Sequence, residues 1–295
     1  MNIPKGLKKG DTIGIVAPSG PLEKETLLKG EQFLINQGFN VVIAPSCFEK
    51  RGYLAGTCDR RRAEDLMMMF ADDEIKAILC MRGGYGSNRL MPYLKAFDFS
   101  KYKKPFIGFS DITYLHIFLN QQHDLMTFHG PMIYDLIRED EATNTHFFDL
   151  LAGNYCFDIK EVPYYGKTLT SASGELIGGN LSIICSTLGT PYEINTKGKI
   201  LFIEEVNEPV YVIDRLMMQL ELSGKLEDAN GIILGDFNVF DKDKTNIFLK
   251  KMFKSYSKPV AYNIPSGHCL PNYMIPCGAR VELNPDLNYI TFDVK

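Results

Sequence analysis

The chain has 295 residues, 45% apolar and 23% charged, the balance of an ordinary globular protein with one large or two smaller domains. A net charge of −4 argues against nucleic acid or an anionic membrane surface as partner. No apolar run approaches the roughly 20 residues of a membrane span, and the first residues lack the apolar centre of a signal peptide. Seven cysteines, at 47, 58, 80, 156, 185, 269 and 277, show no CxxC spacing. An odd, scattered set of this kind reads as reduced thiols of the cytoplasm. His116, His123 and His129 fit no common zinc-ligand spacing, so no metal is expected.

Taken in order, Thr12–Gly20 reads as a buried strand running into a small-residue turn, and residues 23–37 as a helix closed by Gly38. Residues 40–45 form the next strand. Residues 59–73 form a charged helix, whose Met67-Met68-Met69-Phe70 patch reads as core filling. Ile75–Met81 is a strand; the loop Arg82-Gly83-Gly84-Tyr85-Gly86-Ser87 and a helix carrying Leu90, Tyr93 and Leu94 follow. Phe106-Ile107 is a short strand after Pro105. Ile112, Leu115, Ile117, Phe118 and Leu119 then recur at helical spacing. Strands alternating with helices imply a parallel sheet covered on both faces, with ligands beyond the strands' carboxyl ends.

Residues 138–175 break that alternation. The charge run Arg138-Glu139-Asp140-Glu141 reads as solvated surface, and the stretch to about 175 as a connection. Beyond it, Leu176–Leu181 leads into a helix, and strands are expected at Lys199–Glu204, Gly231–Phe237 and Pro259–Tyr262. Helices are expected at 181–188, 213–222 and 244–256, and a hairpin over 279–293. The expected organisation is an α/β domain over 1–150, a connection over 151–175 and a second, smaller α+β domain over 176–295.

The stretch richest in chemistry is Gly108-Phe109-Ser110-Asp111, a serine at a sharp strand-to-helix turn. It matches a nucleophile elbow, G-x-S-x-G, except that Ile112 replaces the second glycine. The same Ser-Asp pair also reads as a plain N-cap. Ser110, Glu204 and His268 each follow a short apolar strand, and strand ends gather at one sheet edge. One nucleophile, one base and one anion are what serine catalysis needs. A loop histidine and a charge marking a strand end are the plainer readings of the last two. Glu204, Glu205 and Glu208 compete to orient His268. Side chains alternate along a strand, so Glu204 points with Phe202 and Ile200, Glu205 points the other way, and Glu208 lies in the loop. The glycine loop at 82–86 reads three ways: an anion cradle, an oxyanion hole facing Ser110, or a tight turn needing positive φ. It lacks the Gly-Lys-Ser/Thr of a P-loop and the spacing of a dinucleotide fingerprint.

Seven stretches together resemble the LD-carboxypeptidases, the serine peptidases that include murein tetrapeptide carboxypeptidase and the microcin C7 self-immunity peptidases. They are Ile15–Gly20, Met81–Gly86, Gly108–Asp111, Phe128–Met132, Gly178–Leu181, Leu201–Glu208 and Ser266–His268, in the family's order over nearly the whole chain. The resemblance implies a Rossmann-like N-terminal domain and a C-terminal domain with a β-rich core. It implies a Ser110-Glu204-His268 charge relay, an oxyanion hole from the backbone N–H groups of Gly84 and Asp111, no metal or cofactor, and a homodimer. The expected reaction releases terminal D-Ala from murein tetrapeptide, and the alternative is cleavage of an aminoacyl-nucleotide amide. Many relatives carry a Trp just before the Gly-Gly-Asn stretch. This chain has none, and Ile177 precedes Gly178, which weakens the nucleotide reading. A substrate carboxylate calls for a cation, and Arg82 and Arg89 are the candidates. A binding module that kept the pocket and lost the chemistry is the reading from another class; the intact Ser-Glu-His set argues against it.

Overall fold

The computed structural model describes residues 1–138, 140–166 and 170–294. The chain divides into two units, Met1–Asn154 with Tyr273–Ile275, and Tyr155–Asn272 with Pro276–Lys295.

The first unit contains β1 (Thr12–Val16), α1 (Lys24–Asn36), β2 (Asn40–Ile43), the hairpin β3 (Lys50–Arg51) and β4 (Leu54–Ala55), and α2 (Asp59–Ala71). There follow β5 (Ile75–Cys80), α3 (Met91–Leu94), β6 (Phe106–Gly108), α4 (Thr113–His123), β7 (Thr127–His129), α5 (Ile133–Leu136) and α6 (Glu141–Leu151). The strands lie in the order β7-β6-β5-β1-β2 and all pair in parallel. Helices cover such strands on both faces, which is why β5 and β6 read as nearly unbroken apolar runs and are buried almost throughout. In the methionine patch Met69 and Phe70 are buried while Met68 faces solvent, as core filling requires of one helix face. From β1 the chain goes to β2 on one side and on to β5 on the other. The order therefore reverses between β1 and β5, and a crevice opens at their carboxyl ends.

After residue 138, where the alternation was expected to break off, the chain forms one more helix, α6. Asp140 caps α6 by accepting the Thr143 N–H at 2.8 Å, and Phe147, Leu150 and Leu151 bury the helix's apolar face. The polar start of the segment hid this helix, because its capping residues are themselves the charges that read as loop. Glu139 of the charge run lies outside the described residues.

The second unit opens within the residues read as a connection, with β8 (Phe157–Lys160), β9 (Tyr164–Tyr165) and the first residues of β10 (Ala172–Asn180). It continues through α7 (Leu181–Thr187), β11 (Ile200–Val206), α8 (Val210–Leu222), α9 (Lys225–Asp228), β12 (Gly231–Asn238), α10 (Lys242–Phe253) and β13 (Val260–Ala261). Strand β14 (Ile275–Cys277) joins the first sheet beside β7, and β15 (Arg280–Asn284) and β16 (Tyr289–Asp293) close the chain. The second sheet runs β8-β16-β15-β10-β11-β12-β13-β9. Its centre, β10 to β13, is parallel, and antiparallel strands flank it on both sides. The short, half-buried strands β8 and β9 lie at its two edges, where few apolar residues are needed. That is why 151–175 carries little strand signal in sequence. No described helix is long and apolar enough to cross a membrane.

Candidate active site

In the first unit, Ser110 sits where β6 ends and the helical segment leading into α4 begins. Its φ is +64°, a left-handed conformation that a residue with a Cβ adopts only when its surroundings impose it. The turn lifts the side chain out of the strand direction, as in a nucleophile elbow. The loop after β5 passes directly over it. A Cβ built on Gly83 would stand 2.8 Å from Ser110 Cβ and 3.0 Å from its Oγ, so only glycine fits there. Among the described residues, neither the Gly84 nor the Asp111 N–H has an intramolecular acceptor. The tight-turn reading of this loop also holds in part, since Gly84 and Gly86 have φ of +116° and +126°.

The Asp111 side chain is buried and does not cap its own helix. Ser19 Oγ, in the loop after β1, donates to Asp111 Oδ2, and the Ser87 N–H donates to the same oxygen at 2.8 Å. Ser87 Oγ donates in turn to the Asp111 carbonyl at 2.6 Å. One carboxylate thus ties the loops after β1, β5 and β6 together. Burial pushes its carboxyl above the usual range, against the opposing pull of these donors.

Below these loops, Arg62 of α2 is fully buried. Its guanidinium donates to the Pro18 carbonyl, to Gly86 O at 3.2 Å and to Asp59 at 2.8 Å. Arg89 is committed to the same acid, with Nε and Nη2 at 2.9 and 2.8 Å from Asp59 Oδ2. Arg82 is exposed; its Nη1 donates to Pro21 O at 3.2 Å, and it makes no ion pair among the described residues.

In the second unit, Glu204 on β11 is fully buried, with its Oε2 2.7 Å from His268 Nδ1. A carboxylate accepts, so Nδ1 carries the proton and Nε2 is the basic nitrogen. Gly267 lets the two meet: its φ is +118°, and a Cβ there would stand 2.8 Å from Glu204 Oε2. Asn272 Oδ1 accepts the Gly267 N–H at 3.0 Å, and Asn238 Nδ2 donates to the His268 carbonyl at 3.0 Å, so the loop is pinned on both sides of the histidine.

Glu205 points to the opposite face of β11. It accepts from Asn180 Nδ2 at 2.8 Å and from the Ser182 N–H and Oγ at 2.9 and 2.6 Å, at the first turn of α7. Burial raises its carboxyl above the ordinary value in spite of these donors. Glu208 lies beyond the strand, before α8.

The structure therefore groups Ser110 with Gly83, Gly84 and Asp111 in one unit, and Glu204 with His268 in the other. Sequence reasoning missed the supports: Ser19 and Ser87 on Asp111, Arg62 beneath the loops, and Asn180 and Ser182 on Glu205. Asn180 and Ser19 stand inside stretches already singled out by sequence. A buried arginine in a charged helix leaves no such signal.

Models of the N- and C-terminal domains of LD-carboxypeptidases match residues 13–130 and 173–283. The chain belongs to the LD-carboxypeptidase family. It is a serine-type carboxypeptidase. It is 40% identical over 293 residues to the probable murein peptide carboxypeptidase of Bacillus subtilis, covering 95% of this chain and 91% of that one. The crystal structure of muramoyltetrapeptide carboxypeptidase from Oxalobacter formigenes superposes with a TM-score of 0.82 at 28% identity, over 95% of this chain and 97% of the other. A structure of the microcin C7 self-immunity protein MccF superposes at 0.89 over 100% and 99% of the two chains; at 23% identity that likeness concerns the fold alone.

Proposed function

We propose that this carboxypeptidase hydrolyses the L,D peptide bond that holds the terminal D-Ala of murein tetrapeptide. Ser110 is the nucleophile, His268 its base and Glu204 the acid that fixes the imidazole. The observation that carries the reading is the buried Glu204–His268 pair at 2.7 Å, in a chain of this family. His268 takes the Ser110 proton as Oγ attacks the carbonyl, and Glu204 stabilises the imidazolium that forms. The Gly84 and Asp111 N–H groups donate to the oxyanion. His268 then passes the proton to the leaving amine, and water releases the acyl group from Ser110 by the same steps in reverse.

The enzyme is proposed to act as a homodimer in the cytoplasm, a reading that rests on the family resemblance and the scattered, odd set of cysteines. Sedimentation giving a monomer at micromolar concentration would refute the dimer.

The test of the reaction is release of D-Ala from murein tetrapeptide, run beside release of nucleotide from an aminoacyl-nucleotide amide. D-Ala release that falls roughly 10³-fold or more in Ser110→Ala, and that resists EDTA, is expected. Release of nucleotide alone would overturn the substrate assignment. Full activity in Ser110→Ala would overturn the mechanism.

A further inference from the structure

We propose that Arg82, which lines one cavity with Tyr53 and Tyr85, reads the free carboxylate of the amino acid that is released, and so makes the enzyme an exopeptidase. The inference rests on the hydrolase reading above. A cavity of about 620 Å³ in the first unit is lined by Gly20, Pro21, Tyr53, Arg82, Gly84 and Tyr85. It lies in the loops that follow β1 and β5, where the strand order reverses and parallel sheets take their ligands.

Two arginines are near enough to be considered, and their surroundings separate them. Arg89 already pairs with Asp59, which, followed by a hydrogen bond to Tyr85, holds its guanidinium well above the ordinary value. Arg82 has no carboxylate partner among the described residues. An exposed guanidinium at a cavity, held only by a backbone carbonyl, has most of its donors left for a bidentate carboxylate.

The reach also fits. Arg82 Nη2 stands 3.9 Å from where a Cβ on Gly84 would be, and Gly84 carries one of the two N–H groups assigned to the oxyanion. In a peptide, the next backbone carbon centre lies roughly 4 Å beyond the scissile carbonyl. A carboxylate one residue past the cleaved bond therefore falls within reach of Arg82. The tyrosines bound the space. Tyr53 is carried at the tip of the β3–β4 hairpin, which is tied down by the Ala55 N–H on Ser19 O at 3.0 Å. Its ring lies 5.8 Å from that of Tyr85. Both tyrosines count among the exposed aromatic side chains, although tyrosine rings ordinarily bury much of their surface.

The experiment compares kcat/KM on murein tetrapeptide with kcat/KM on the same peptide bearing a C-terminal amide. The wild-type enzyme is expected to prefer the acid strongly. Arg82→Met should shrink the acid-to-amide ratio about 10- to 100-fold, the size of a charge-assisted hydrogen bond. Arg82→Lys should restore part of it, and Arg89→Met should leave the ratio in place. Arg82 is exposed, so an unchanged melting curve checks that its variants fold. A ratio that survives Arg82→Met, or a wild-type ratio near one, overturns this inference alone. A wild-type enzyme that releases nothing from either peptide overturns the hydrolase reading and this inference with it.

Discussion

Glu204 and Glu205 are adjacent carboxylates on one strand with different surroundings, because strand alternation sends them to opposite faces of β11. Among the described residues Glu204 meets one hydrogen-bond partner, His268, whereas Glu205 meets four donors, from Asn180, from Ser182 twice and from the Val206 N–H. Replacing each by glutamine separates the two effects. Glu204→Gln should keep the fold and lower kcat roughly 10²–10⁴-fold, because an amide facing Nδ1 favours the wrong tautomer. Glu205→Gln should cost much less in kcat. It should lose about 1–3 kcal/mol of stability, since the new NH₂ faces donors already aimed at that carboxylate. Urea unfolding and steady-state kinetics on both variants read the difference. If Glu205→Gln is the more damaging to kcat, the acid belongs one residue further along. The choice between these two glutamates was legible in sequence because an unbroken apolar run ends at Glu204, which sets the register. The partners of Glu205 were not, because Asn180 and Ser182 reach it only through the parallel pairing of β10 with β11.

At the scale of the element, the turn from β6 into α4 stores strain at a residue with a side chain. A left-handed residue with a Cβ costs roughly 1–2 kcal/mol, and glycine escapes most of that. Ser110→Gly should therefore unfold at higher urea than Ser110→Ala, by about 1 kcal/mol, with turnover of both variants down roughly 10³-fold or more. Equal stability of the two would mean that the turn carries no strain. The elbow was visible in sequence through Gly108, the short apolar strand and the helical spacing after it. The loops that brace it were only partly visible. The glycines at 83–86 gave away a close backbone approach, but Asp111 read as a cap for its own helix. Its binding of Ser19 and Ser87 depends on β1, β5 and β6 lying side by side, an order that no local pattern states. The helix α6 and strands β8 and β9 escaped for a different reason: their capping and edge positions are polar, so the periodicity that marks core-facing elements is weak there.

Across the whole molecule, acidification should act through histidines that fold into apolar surroundings, and His116 is fully buried. Its Nε2 donates to Gly108 O at 2.8 Å, so Nδ1 is the bare nitrogen, buried without a partner among the described residues. A proton added there would have no acceptor. Burial accordingly pushes the imidazole down to about 4, with the Gly108 contact opposing. In the unfolded chain the same group takes up its proton near 6.5. Between those values the unfolded state binds more protons, so stability is fully present above 6.5 and is lost as pH falls toward 4. The slope this one group contributes approaches ~1.4 kcal/mol per pH unit inside that window. Asp111 and Glu205, whose carboxyls are raised by burial, contribute with the opposite sign, since the folded state holds their protons more tightly. The wild-type curve alone therefore mixes the two effects. His116→Gln keeps a donor for Gly108 and removes the titration, while both acids remain. The difference between wild type and variant should be flat above pH 6.5 and fall steadily below it. Urea midpoints measured from pH 4.5 to 8 give that difference directly, and parallel curves would sink the assignment. Because Gly108 lies two residues before Ser110, the same titration should loosen the elbow first: activity lost on brief acidification should track the His116 window in the wild-type enzyme.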